Sequence, residues 1–199
     1  MSSKKISIFL IFLIISFSNI AKVFSMEPDV FVQSTVNRAS KVLSGNISKE
    51  EKIRKLKIIA DETVDIKIIG LYTLGSYRKE LTDDQKKKYS ILFKKYFLKT
   101  FSSRLAEYSD PEIEVTAKEK LNEKYTMVSS VLIASDEKPK IKIDWRINTR
   151  NLDNLLIIDV VIEGVSLAKV QKEEFNSIIQ SNDGNIKALF LSLKEFSKE

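Results

Sequence analysis

Apolar positions recur every three or four residues through the first half of this chain, alternate through much of the second half, and return to helical spacing at the end. Pro28 to Leu43 carries Phe31, Val32, Val36, Ala39 and Leu43 on one stripe and stops at Gly45, which predicts an amphipathic helix. Ser48 with Glu51 has the spacing of a capping box and opens a second helix burying Ile53, Leu56, Ile59, Ala60 and Val64. Asp65 to Leu74 forms a third, stopped near Gly75. Thr82 with Gln85 is another capping box, and the helix it opens is the longest. Its apolar set, Tyr89, Leu92, Phe93, Tyr96, Phe97, Phe101, Leu105 and Tyr108, makes one continuous aromatic stripe.

After Ser109-Asp110-Pro111 the period changes. Ile113, Val115 and Ala117 alternate with charged or polar residues, and Ile141, Ile143, Trp145 and Ile147 alternate with Lys142, Asp144 and Arg146, so each strand has a dry and a wet face. Met127 to Ala134 is apolar on both faces and belongs more centrally in a sheet. In the next strand Leu156, Ile158, Val160 and Ile162 form the dry face, with Asp159 and Glu163 on the solvated one. Ser135 to Pro139 and Asn148 to Asn154 read as turns. Gly164 marks either an ordinary strand end or a backbone position that tolerates no side chain, through positive φ or close approach. Val170 to Gln180 and Asn185 to Phe196 close the chain as short helices flanking Gly184. The fold class is α+β: N-terminal helices and the long aromatic-striped helix packed on an antiparallel sheet of about four strands, with C-terminal helices. Whether the space between them is solid or hollow is not encoded in periodicity, since Phe93, Phe97 and Phe101 read the same in a core or around a cavity.

The N-terminus adds a location. Lys4 and Lys5 precede an apolar run from Ile6 to Ile15, and Val23-Phe24-Ser25 supplies a cleavage pattern, so residues 1–25 read as a signal peptide and 26–199 as a single domain. The alternative is a retained anchor, but the uninterrupted core is shorter than the roughly 20 residues a span needs. The chain has no cysteine, which excludes a cysteine-linked lipid and a disulfide framework alike. Of the net charge of +6, the leader carries Lys4, Lys5 and Lys22 and no acid. The modest balance that remains outside the cytoplasm argues against nucleic acid as a partner and is compatible with an anionic membrane surface. Lys86-Lys87-Lys88 with Lys94 and Lys95 reads as the wet face of the long helix.

The absence of histidine removes the usual neutral-pH acid and base, the usual zinc ligand and the usual partner of a serine nucleophile. Ser166, in Gly164-Val165-Ser166-Leu167-Ala168, lacks the second glycine of a nucleophile elbow and reads as structural or hydrogen-bonding. The five glycines are scattered and assemble no phosphate loop. Asp159 and Glu163, about 13 Å apart on a strand, do not make a glycosidase pair. The reading contains no catalytic residue, no metal site and no cofactor.

Several short segments, in order and spacing, resemble the MlaC/Ttg2D family of periplasmic phospholipid-binding proteins. They are Val64-Asp65 leading to Leu74-Gly75-x-Tyr77, Thr82-Asp83-Asp84-Gln85, Phe93-Lys94, Thr100-Phe101 with Leu105 and Tyr108, Ile143-Asp144-Trp145-Arg146, and Asp159-Val160 through Glu163-Gly164-Val165-Ser166-Leu167 to Phe175. Ser76, Arg78 and Val170-Gln171-Lys172 depart from the family pattern, which bears on polar contacts near a pocket mouth. The resemblance implies a monomeric shuttle that encloses the acyl chains of a phospholipid in an apolar cavity. It would exchange that cargo between an outer-membrane lipoprotein and porin complex and an inner-membrane ABC transporter complex with its substrate-binding lipid-transfer subunit. The implied lining comprises Leu71, Leu74 and Tyr77; Phe93, Phe97, Phe101, Leu105 and Tyr108 along the helix; Val131, Ile143, Trp145, Val160 and Ile162 from the sheet; and Val165, Leu167 and Phe175 beyond it. A histidine-free enzyme on a similar fold and a ligand-free periplasmic interaction module remain the alternatives.

Overall fold

A computed structural model describes residues 26–109, 111–133 and 140–196. The expected leader, Asp110, Ala134 and the turn Ser135 to Pro139 lie outside the described residues. The chain runs α1 (Pro28–Leu43), α2 (Lys49–Thr63), α3 (Ile66–Thr73), a 3₁₀ turn (Gly75–Lys79), α4 (Asp83–Leu105), β1 (Glu112–Asn122), β2 (Tyr125–Ile133), β3 (Ile141–Asn148), β4 (Leu156–Ile162), β5 (Val165–Ser166), α5 (Leu167–Gln180) and α6 (Ile186–Phe196). The α+β expectation holds, with a short fifth strand added.

Local chemistry accounts for the helix limits. Thr82 Oγ1 accepts from the Gln85 amide at 3.3 Å while the Gln85 side chain accepts from the Thr82 amide at 2.9 Å, a complete capping box at the start of α4. The Ser48 box forms only by half. Ser48 accepts from the Glu51 amide at 3.2 Å, but the Glu51 carboxylate turns to Arg54, whose guanidinium holds it down at about 2. Helix α4 ends at Leu105, short of Tyr108, and α5 begins at Leu167 because Ser166 caps it by accepting from the Lys169 amide at 3.1 Å.

The sheet order is β1-β2-β3-β4-β5, antiparallel throughout. As expected, β2 lies inside the sheet, and Ile143, Trp145 and Ile147 share one face of β3. Register places Val128, Trp145 and Val160 in one row of that face and Ser130, Ile143 and Ile162 in the next. Strict alternation fails at three register shifts, two of which change what the inner face carries. In β1 the pairing jumps between Val115 and Ala117, so Ala117 leaves the inner face and Lys118 joins it opposite Val128. There Lys118 meets Glu27 and Asp29 at the start of α1, each at 2.8 Å, a pairing that lowers the Asp29 pKa and raises that of Lys118. In β4 the jump skips Ile158, so Ile157, not Ile158 or Leu156, faces the core opposite Ile147.

Helix α1 packs on β1 and β2, α3 and α5 pack on β4, and α4 packs mainly on α2, α3 and α6. The Gln33 side chain of α1 donates to the Ile113 carbonyl at 3.1 Å and accepts from the Val115 amide at 2.9 Å, satisfying backbone groups along edge strand β1. One contiguous core joins Val32, Val36, Leu74, Tyr89, Phe93, Val128, Ile147, Phe175 and Leu189 across these layers.

The α3–α4 contact depends on Gly70. A Cβ there would lie 2.7 Å from Cδ1 and 3.1 Å from Cγ of Phe93, a buried ring with little room to retreat. Overpacking of this kind costs about 1–3 kcal/mol, and alanine recovers about 0.5–1 kcal/mol of helix propensity. Gly70→Ala is therefore expected to destabilise by about 1–2 kcal/mol in urea unfolding, and combining it with Phe93→Leu is expected to cost less than the sum of the two single changes.

Candidate functional site

The aromatic stripe of α4 forms a ladder that passes from sealed to partly open. Ring centroids of Tyr89, Phe93, Phe97 and Phe101 step along the helix at 5.8, 6.1 and 5.4 Å, the last pair stacked at 9°. Tyr89 and Phe93 are 0% and 1% exposed, whereas Phe97 and Phe101 are only half-buried at the margin of the core. Side rungs join the lower part to other helices: Phe175 of α5 meets Phe93 edge-on at 6.1 Å, and Phe190 of α6 lies 5.7 Å from Tyr89. The Tyr89 hydroxyl pairs with Thr73 Oγ1 at 2.8 Å, and burial pushes its pKa far above the ordinary phenol value. Such a group neither takes nor gives a proton near neutrality.

The sheet contributes a matching apolar surface whose polar atoms are satisfied internally. Trp145 Nε1 donates to Ser130 Oγ at 2.8 Å, and Ser130 donates in turn to the Ile143 carbonyl at 3.1 Å. With its one polar group occupied, the indole presents hydrocarbon.

Of the residues named from sequence, Leu74, Phe93 and Phe175 lie in the core cluster, and Leu71, Tyr77, Phe97, Phe101, Trp145 and Val160 pack half-buried against it. Ile143 is buried and Ile162 half-buried on the same inner face, beyond that cluster. Leu105 is half-buried at the end of α4. Val131 pairs with Lys142 and Glu114 on the opposite face of the sheet. Tyr108, Val165 and Leu167 are exposed, Tyr108 at 56%. Sequence reasoning missed Ser130, whose polarity inside an apolar strand opposite Ile143 was the available signal. It also missed Phe190 and Phe196, which the i, i+3, i+4 spacing of Ile186, Leu189, Phe190 and Leu193 places on the buried side of α6.

Where β4 hands over to α5, the expected solvated face is corrected. Asp159 is 4% exposed and accepts from Ser166 Oγ at 2.6 Å, from the Ala168 amide at 3.1 Å and from Arg146 at 3.4 Å. Glu163 and Gly164, with φ of 48° and 82°, form the two-residue turn that brings Ser166 back beside Asp159. Nothing crowds a Cβ at Gly164, so positive φ, not close approach, accounts for the glycine. Ser166 thus serves as a helix cap held by a carboxylate, as its structural reading anticipated. Nearby, Gln171 accepts from the Tyr96 hydroxyl at 3.0 Å, and Lys172 Nζ stands 5.5 Å from the Tyr72 ring centroid. These contacts occupy the segment in which the chain departs from its resemblance.

The profile of the MlaC protein family matches residues 33–195. The chain belongs to the MlaC family. Among solved structures, a phospholipid-binding protein from Ralstonia solanacearum, solved in complex with a phospholipid, is similar to this MlaC chain with a TM-score of 0.71 at 17% identity. The match covers 87% of this chain and 98% of that one. At that identity the likeness establishes a shared fold. Among the described residues of this MlaC chain, no helix is long and apolar enough to cross a membrane.

Proposed function

We propose that this protein is a periplasmic phospholipid carrier that holds acyl chains between the sheet and the α4 ladder and shuttles its cargo between membranes. The observation that carries the reading is the gradient along α4, where a sealed aromatic core gives way to half-buried Phe97 and Phe101. Family membership and the phospholipid in the Ralstonia complex support the choice of ligand. Two acyl chains contain roughly 30 methylenes, worth on the order of 25 kcal/mol if exposed to water at about 0.8 kcal/mol each. Only deep apolar enclosure offsets that figure, so the space between α4 and the sheet has to widen when lipid enters. A carrier that balances bilayer and pocket sets no direction by itself. Net flux then comes from an outer-membrane lipoprotein and porin complex on one side and an ATP-driven inner-membrane complex on the other.

The carrier needs no acid, base or cofactor. The engagement of Ser166 as a cap, the use of Asp159 as its anchor and the lack of histidine all support binding over turnover. Native mass spectrometry of protein purified from its own compartment is the test. A retained phospholipid adduct that exchanges into vesicles is expected. Protein that is bare after gentle purification and takes up no labelled phospholipid from vesicles would sink the reading, as would turnover-dependent conversion of the lipid.

A further inference from the structure

On the outer side of the helical layer, α4 and α6 border a groove of about 680 Å³ that touches the aromatic ladder only through Phe190 and does not reach the sheet. Its floor is Leu92, Ile186, Phe190 and Leu191, and its rim carries Lys88 and Lys95 from α4 with Lys187 and Lys194 from α6. The two helices run in the same direction here, because Tyr89 stacks near Phe190 and Tyr96 near Phe196. Lys88 therefore stands across from Lys187, and Lys95 across from Lys194. The result is two levels of lysines along the groove, separated by seven residues, about 10.5 Å or two helical turns. Among the described residues none of the four lysines has an ion-pair partner, while their neighbours Lys86 and Lys94 are paired with Asp83 and Asp61. Leu191 is 60% exposed between the two levels.

We infer that this groove receives an amphipathic helix of a partner protein, with an apolar stripe flanked on both sides by acidic residues two turns apart. An apolar floor with cationic walls recognises that chemistry: the stripe covers Leu92, Phe190 and Leu191, and the acids neutralise the lysines. The concavity favours a helix over a bilayer, since a flat surface touches the rim and Leu191 but leaves the half-buried Leu92 uncovered. The inference concerns a protein contact on the outside of α4 and stands independently of the cargo assigned to the inside.

The test uses the full mature chain and two fluorescent helical peptides of identical leucine stripe, one with glutamates at the flanking positions and one with lysines there. The glutamate peptide is expected to bind, and its affinity to fall about ten-fold in Lys88→Glu/Lys194→Glu. Binding is also expected to weaken as salt rises and in Leu191→Ser, with unchanged melting of each variant because Lys88, Leu191 and Lys194 are all exposed. Equal binding of both peptides, or indifference of the glutamate peptide to the lysine reversals, overturns the inference. So does lysine-dependent binding to phosphatidylglycerol vesicles that the glutamate peptide does not displace, which would make the patch a membrane contact.

Discussion

Phe93→Ala is expected to cost about 3–5 kcal/mol of stability, the range for a fully packed phenylalanine, while Phe97→Ala costs about 1–2 kcal/mol because less apolar area is at stake. The ranking inverts for cargo: Phe97→Ala loses bound phospholipid at a temperature where the fold is intact. Phe93 is 1% exposed, touches Tyr89, Tyr96, Phe97 and Phe175, and fits against Gly70, so nothing nearby can collapse into the space its ring leaves. Phe97 makes its ring contacts with Phe93 and Phe101 along one helix and lies half-buried. Chemical denaturation and lipid content measured on the same preparations decide the matter. Equal destabilisation by both substitutions, with lipid retained in each, would mean that the ladder is solid throughout and lines no pocket.

Asp159→Ala is expected to be the most damaging change on the strand side, at about 2–4 kcal/mol, although Asp159 touches no proposed cargo. Removing the carboxylate leaves the Ala168 amide and the Ser166 hydroxyl without their acceptor, and a buried unsatisfied donor costs about 1–3 kcal/mol. The favourable placement of an anion at the first turn of α5 is lost as well, worth up to about 2 kcal/mol when partly buried. The Arg146 contact contributes little, because that side chain is 39% exposed and its nitrogen lies at 3.4 Å. Ser166→Ala, which removes only the cap, is expected to cost about 1 kcal/mol. A urea midpoint for Asp159→Ala no lower than that of Ser166→Ala would refute this account of the β4–α5 junction.

Much of this architecture was legible because local signals and tertiary packing agree. The limits of α1 follow from its stripe and from Pro28, and the Thr82–Gln85 box opens α4 where its spacing says it should. The faces of β3 follow from simple alternation. Two of the misreadings come from register, about which a period carries no information. A single skipped residue at Thr116 turns Lys118 inward, and another at Ile158 brings Ile157 to the core in place of its neighbour. Asp159 read as solvated because its charge was weighed alone; its donors, Ser166 and Ala168, arrive only after the chain reverses at Glu163-Gly164. Val131 sits on a strand that is apolar on both faces, so the pattern offered no way to choose its side. The difference between Phe93 and Phe97 depends on what lies opposite each ring, something no one-dimensional pattern records.

The sheet order β1-β2-β3-β4-β5 has a consequence for the life of the chain before it is folded. Each strand lies beside its neighbour in sequence, so the sheet can assemble as a succession of hairpins at small loop-closure cost. Contacts from the helices to later elements have no such economy: Gln33 meets Ile113 across 80 residues, and Tyr96 meets Gln171 across 75. During synthesis α1 to α4 emerge before any strand exists, with Phe31, Val36 and the α4 rings still wet. For that interval the nascent polypeptide displays the oily surface that the finished protein conceals, and keeping it from clumping falls to whatever escorts the chain until its last helix arrives.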